Sequence, residues 1–351
     1  MTTKLQILCW RLNLINFIYQ LTSPGKINLK FGDVNFKGKV IVKPRYMSIC
    51  HADQRYYRGR RSREVLKKKL PMALIHECCG EVLEDYSNTF SVGSKVVLIP
   101  NVLSDVHQEG IFENYQKGSG FRSSGIDGFM QEIVAMDSNR LVPFNDYYGN
   151  EKVFAITEMI SVAVHAVERF ISNSHEKKER IAVFGDGNLG FLVSLVLKRI
   201  LPNSKIVVIG RHEEKLAHFS FADQTFVDIP ENFEFDHSFE CTGGAGCSDA
   251  VDKIIKFINP QGTVVLLGVS EEKVPINTRN ILEKGLTFVG ASRSGFNDFV
   301  NAVKFLEEEK FNRRVCNLIS VGSKVNFIDD IHRVFEEVLN VPFKLVFEWN
   351  M

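Results

Sequence analysis

The sequence predicts an α/β protein of two units, a β-rich unit followed by a doubly wound, parallel, six-stranded sheet, and three observations carry that expectation. From Lys39 to Val142 the apolar runs are short and β-branched, punctuated by Pro44, Pro71, Gly93 and Pro100, the spacing of a barrel-like β unit. Between Ile181 and Gly290 short apolar runs alternate with helical stretches, the pattern of a parallel sheet covered by helices on both faces. Finally, 351 residues exceed what one core usually organises.

Residues 1–16 read as an N-terminal extension. The apolar stretch Leu5, Ile7, Leu8, Trp10 is interrupted by Arg11 and lacks a small-residue cleavage site, so no signal peptide is expected, and the first dozen residues are expected to be disordered. Val40-Ile41-Val42, Val96 to Ile99 and Phe129 to Val134 are expected strands. From Glu151 onward Phe154, Ile156, Met159, Ile160, Ala163, Val164 and Val167 recur at three and four, a helix leading into the second unit. Its expected strands are Ile181–Gly185, Ile206–Gly210, Thr225–Val227, His237–Cys241, Thr263–Gly268 and Thr287–Gly290, joined right-handedly. A helix over Phe296–Lys310 and the run Phe343–Phe347 find no place in that sheet and are expected to rejoin the first unit. The predicted division is 17–152 with 294–351, and 153–293.

Composition narrows the function. Lys plus Arg (43) and Asp plus Glu (42) nearly cancel, leaving +1, so nothing argues for nucleic acid or an anionic membrane surface, and a small molecule is the expected partner. No run approaches the roughly 20 apolar residues of a membrane span. Seven irregularly placed cysteines form no disulfide framework, and the cytoplasm is the expected compartment.

Ile181 to Gly190 is a strand running into G-x-G-x-x-G and then into an apolar helix, the context in which this pattern signals a dinucleotide. Gly185 allows the tight turn, Gly187 lets backbone approach a pyrophosphate, and Gly190 lets helix and strand pack. The amides around Asn188 and Leu189 are then the expected phosphate donors. At the end of the second strand, where an acid would accept the ribose hydroxyls of NAD, the chain reads Ile209-Gly210-Arg211-His212. With no carboxylate there, and with Lys215 a helical turn beyond Arg211, NADPH is the expected cofactor; a solvated Arg211 is the bland alternative.

Cys50, His76 and Glu158 each admit an ordinary reading: a small buried hydrophobe, a satisfied core histidine, an acid on an apolar helix. Together they offer a thiolate, an imidazole and a carboxylate, a set suited to a catalytic zinc with an exchangeable position.

With Cys50…Asp53, Ile75-His76-Glu77, Gly125-Ile126-Asp127-Gly128-Phe129, Glu158 and Gly185/Gly187/Gly190 in this order, the chain resembles the zinc-containing medium-chain alcohol dehydrogenase superfamily over roughly Tyr19 to Trp349. The resemblance implies a GroES-like catalytic domain beside a Rossmann domain. It further implies one catalytic zinc held by Cys50, His76 and Glu158, with Glu77 able to enter coordination and Asp53 orienting the ligands. Between about Pro100 and Phe121 the four cysteines of the family's structural zinc are missing. Ala52 stands where a proton-relaying Ser or Thr is usual, Arg55 where a His is frequent, and Ile75 where a Gly commonly precedes the His. Within the superfamily, Tyr46 to Tyr57, Phe121 to Gly125 and Leu267 to Ser270 look most like the ribulose-5-phosphate reductases. That similarity implies NADPH-linked reduction of D-ribulose 5-phosphate to D-ribitol 5-phosphate, with Arg55 and Arg122 on the substrate phosphate and a homodimer as the working state. It also implies a cytidylyltransferase next in the pathway, making CDP-ribitol for teichoic acid or capsule. The alternatives are a polyol dehydrogenase for an unphosphorylated sugar alcohol, which the cations Arg55 and Arg122 disfavour, and a silent nucleotide-binding relative, which would not need the three ligand types together.

Overall fold

The protein is seen in a computed structural model that describes residues 15–351; the expectations for residues 1–14 lie outside the described residues. Two compact units appear, one reaching to Glu158 and resuming from Gly295 to the end, the other Met159–Ser294. No described helix is long and apolar enough to cross a membrane.

Among the described residues the first unit holds two main sheets and a two-stranded pair, Asn101–Val102 with Gly120–Phe121. The smaller has the order β2-β1-β4, from β1 (Ile15–Ser23), β2 (Lys26–Asp33) and β4 (Met72–Ala73). β1 therefore takes in the last two residues of the expected extension: Asn16 is buried and donates to Gln131 Oε1 at 2.8 Å. The larger sheet has, in order, β10 (Leu141–Pro143), β6 (Lys95–Leu98), β5 (Glu77–Asp85), β3 (Val40–Ser48), β18 (Lys344–Glu348) and β17 (Ile319–Val321), with β9 (Val134–Met136) also on β3. At its centre β3 pairs antiparallel with β5 and with β18. The register of β3 against β5 shifts near Pro44, which has no amide to give a ladder. There Gly80 is required, because a Cβ would lie 2.4 Å from Lys43 O.

The closing apolar run does return to this unit. β18 lies between β3 and β17 (Ile319–Val321), and Trp349 beyond it is buried against Tyr19, donating Nε1–H to Gln131 O at 2.8 Å. Two expected elements differ. The helix over Phe296–Lys310 is two helices, Phe296–Leu306 and Glu309–Cys316: Glu308 is extended, and Asn312 Nδ2 caps Leu306 O at 2.8 Å. The strand expected over 129–134 pairs regularly only from Val134, since Phe129 and Met130 bond instead to Ile75 O and Leu74 O.

The second unit is a six-stranded sheet in the order β13-β12-β11-β14-β15-β16, parallel throughout. Its strands are β11 (Arg180–Phe184), β12 (Lys205–Ile209), β13 (Gln224–Phe226), β14 (His237–Glu240), β15 (Thr263–Leu266) and β16 (Thr287–Gly290). The chain starts at β11, proceeds to one edge, returns to β14 and proceeds to the other. The reversal between β11 and β14 opens a crevice beyond the strands' carboxyl ends, the usual ligand position in such sheets.

Candidate functional site

One buried carboxylate organises the metal-type residues. Cys50 caps the helix His51–Tyr57, and Asp53 from its first turn accepts the Cys50 amide on Oδ2 at 3.1 Å. The other oxygen, Oδ1, accepts from the Ile75 amide at 3.1 Å and from Ser123 Oγ at 2.5 Å, and stands 3.4 Å from His76 Nδ1. Burial alone would raise the Asp53 pKa, but His76, Ser123 and the Cys50 amide outweigh it and hold it below the ordinary carboxylate value. His76 likewise is disfavoured as a cation by burial, yet Asp53 and Cys50 lift its pKa well above the imidazole norm.

The backbone is strained around Asp53. Ile75 and Ser123 have φ of +70° and +60°, the left-handed region, at a cost of order 1–3 kcal/mol each. The glycine motif braces this segment from behind: a Cβ on Gly128 would fall 2.3 Å from Leu74 O and 2.4 Å from Ile75 O.

Donor atoms of Cys50, His76 and Glu77 lie within 4.8 Å of one another. Glu158, buried nearby, lies outside that set. Burial raises its pKa to about 7, a change His76 opposes and Glu77 reinforces. Glu77 is held by Lys344, whose Nζ is 2.5 Å from Oε1, while Glu77 Oε2 is buried with no hydrogen-bond partner. These residues fit a divalent cation. A thiol, an imidazole and two carboxylates converge with Lys344 as the buried ammonium, and zinc is the metal that takes S, N and O ligands together. The cysteine-free lobe that follows is closed by Gln116, which accepts the Gln108 amide at 2.8 Å and donates to Gln108 O and Ile111 O.

In the second unit the three loop glycines differ in environment. Gly185 has φ +129°. A Cβ on Gly190 would sit 1.9 Å from Gly185 O, whereas Gly187, the cap of the helix Asn188–Ile200, faces open space. The loop borders a cavity of about 390 Å³ lined by Gly185, Asp186, Gly187, Gly210, Arg211, Thr242 and Lys253 among others. Asn188, Leu189 and Lys215 do not line it. Lys253, which periodicity did not single out, pairs with Asp249 at 2.9 Å. The expectation of no carboxylate at the end of β12 needs correction. Asp186 reaches there from the glycine loop, its Oδ2 accepting the amides of Arg211 (2.7 Å) and His212 (2.9 Å) and lying 2.9 Å from His212 Nδ1.

The two phosphate candidates separate. Arg55 lies on the helix that Cys50 opens, and Gly59 (φ +67°) turns the chain so that Arg60 donates its amide to Arg55 O at 2.7 Å. Burial first, then Arg55, Arg60 and Arg61, lower the pKa of His51: three guanidinium groups crowd the residue after Cys50. Sequence reading missed Arg60 and Arg61, although Arg58-Gly59-Arg60-Arg61 is a legible basic turn. Arg122, by contrast, donates to Asp127 O at 3.0 Å, lies over the Phe129 ring and lines a separate cavity with Lys39, Asn101 and Arg140. The structure does not bring it to the metal-type cluster.

Residues 37–146 match the family model of the alcohol dehydrogenase GroES-like domain, and residues 203–308 that of the zinc-binding dehydrogenase. The chain is 48% identical over 342 residues to the ribulose-5-phosphate reductase of Streptococcus pneumoniae, spanning 96% of this chain and 98% of that one. It is 45% identical over 343 residues to that of Bacillus spizizenii, spanning 96% and 100%. Among solved structures, S. aureus TarJ in complex with NADPH superposes with a TM-score of 0.85 at 39% identity, over 96% of this chain and 100% of that one. With two family models along its length and relatives of this identity over nearly all of it, the chain belongs to the zinc-containing medium-chain alcohol dehydrogenase superfamily, in the branch of the ribulose-5-phosphate reductases.

Proposed function

We propose that this chain is a zinc-dependent reductase that converts D-ribulose 5-phosphate to D-ribitol 5-phosphate with NADPH. The observation that carries the reading is the convergence of the half-buried Cys50 with the buried His76, Glu77 and Glu158 beside the Lys344 ammonium, an arrangement completed by a divalent cation. Relatives at 43–48% identity named ribulose-5-phosphate reductase support the substrate, and the NADPH complex of TarJ supports the cofactor.

Zinc held by Cys50, His76 and Glu158, with Glu77 able to join, would supply a Lewis acid for the C2 ketone oxygen. The rest falls to the chain. Asp53 fixes Cys50 and His76 relative to one another, so the donors are arranged before the substrate arrives. Lys344 restrains Glu77. As hydride reaches C2 the ketone oxygen gains charge and then a proton, giving the alcohol; donors set in advance around that oxygen typically lower such a barrier by several kcal/mol. Arg55, with Arg60 and Arg61 beside it, offers planar guanidinium groups for the phosphate. In the second unit Gly185, Gly187 and Gly190 leave the amides at the start of the helix Asn188–Ile200 for the dinucleotide phosphates, with Arg211, which lines the cavity, supplying positive charge for a 2′-phosphate.

The product is a sugar-alcohol phosphate ready for nucleotidyl transfer. A cytidylyltransferase making CDP-ribitol for teichoic acid or capsule would consume it, in the cytoplasm, with this chain working as a homodimer. NADPH oxidation with ribulose 5-phosphate, beside ribulose and xylulose 5-phosphate, tests the assignment. Turnover at least tenfold more efficient with ribulose 5-phosphate is expected, and equal use of ribulose overturns it.

A further inference from the structure

We propose that Asp186 is a positioning residue for cofactor choice: from the glycine loop it fixes the backbone that presents Arg211 to the cavity. This rests on the NADPH reading above. An acid at the carboxyl end of β12 would ordinarily accept the ribose hydroxyls of NADH and repel a 2′-phosphate. Here the carboxylate at that place comes from a different strand-to-helix turn and is directed inward. Its Oδ2 accepts two consecutive amides, Arg211 at 2.7 Å and His212 at 2.9 Å, and lies 2.9 Å from the His212 ring. An oxygen with three such neighbours is saturated, and its charge is spent on the loop.

The approach depends on Gly210, because a Cβ there would fall 2.6 Å from Asp186 Cβ and 2.9 Å from Oδ2. Glycine at 210 and aspartate at 186 are therefore one device. Its consequence lies on the next residue. With its amide pinned, Arg211 extends across the cavity mouth until Nη2 is 3.9 Å from the place a Cβ on Gly246 would take. The guanidinium is thus held at the cavity, where Asp186 has its Oδ2 engaged by the loop and Asp249, a second acid of the lining, is paired with Lys253. Asp186 reverses the usual meaning of a carboxylate at this end of the strand.

Direct binding of NADPH, NADH, 2′,5′-ADP and 5′-AMP to the intact protein, followed by nicotinamide fluorescence and calorimetry without substrate, reads this out. Asp186→Ala is expected to weaken NADPH and 2′,5′-ADP about tenfold or more and to change NADH and 5′-AMP less than about threefold. Asp186→Asn keeps an acceptor oxygen and retains most of the selectivity. Equal weakening of both cofactors, which a merely structural clamp would give, overturns the inference, as does loss of NADH alone, the mark of a ribose acceptor, or no change. A wild-type protein that binds NADH as tightly as NADPH overturns the NADPH reading itself, and the inference with it.

Discussion

Lys344 Nζ stands 2.5 Å from Glu77 Oε1, and both side chains are almost wholly withdrawn from solvent. The pair joins β18, the last strand, to β5, which follows directly on His76, so the C-terminal return supplies the counter-charge of the metal-type site. Burial disfavours the Lys344 ammonium, but Glu77 and Cys50 outweigh it and raise its pKa.

Lys344→Met should therefore destabilise the first unit by about 3–5 kcal/mol, because it leaves a buried carboxylate without its partner. Adding Glu77→Gln should restore most of the loss, since the double variant buries no unmatched charge. Chemical denaturation of the metal-stripped proteins, arranged as a double-mutant cycle, measures the coupling. Independent, additive effects would contradict the account.

One zinc per chain is expected. Among the described residues one set of converging metal-type donors is found, Cys50, His76 and Glu77 with Glu158 buried nearby, and the lobe that could hold a second ion is closed by Gln116. Elemental analysis should return one equivalent. Cys50→Ser and Glu158→Ala should each lose metal and turnover while the second unit keeps its cofactor affinity. Two tightly held equivalents, or full activity after exhaustive chelation, would refute this.

Arg55→Ala should lower kcat/KM for ribulose 5-phosphate by roughly ten- to a hundredfold, the worth of a charge-assisted contact of about 1.5–3 kcal/mol, and leave ribulose unchanged. Arg122→Ala should spare the preference for the phosphorylated substrate, because its guanidinium is engaged by Asp127 O and Phe129. Steady-state comparison of the two substrates decides, and loss of preference in Arg122→Ala alone would invert the assignment.

What was readable from the sequence followed local rules. Of the six parallel strands β11, β12 and β15 were legible as apolar runs bounded by turns, and β13 and β14, Gln-Thr-Phe and His-Ser-Phe-Glu, through the alternation around them; the glycine loop was legible because Gly185 and Gly190 answer steric demands a motif records. Cys50 and His76, whose donor atoms lie together with those of Glu77, were legible as residue types in the order the family resemblance supplies. Lys344 was not: it sits in an apolar run that read as core, and only the pairing of β18 with β3 brings it to Glu77. Ser123 was equally hidden, since its bond to Asp53 spans 70 positions. Asp186 misled because the sequence was searched for an acid after β12, whereas the chain delivers one from the turn after β11.

His237 carries the last prediction, a pH dependence of stability in the second unit. Its ring is fully buried, with Nδ1 accepting the Thr263 amide at 3.1 Å and Nε2 lying 2.9 Å from Lys177 O, which makes Nε2 the protonated nitrogen. Burial first, then the neighbouring His175, depress its pKa to about 4. Above the ordinary value of about 6.5 neither the folded nor the unfolded chain holds the extra proton. Between about 6.5 and 4 the unfolded chain binds it and the folded one does not, so stability falls as the pH falls, by on the order of 3 kcal/mol at most, and levels off below 4. Thermal unfolding of the second unit at pH 7.5 and pH 5 should show this drop, and His237→Gln, which cannot take up a proton, should flatten it. A parallel decline in both proteins would assign the acid sensitivity to other groups.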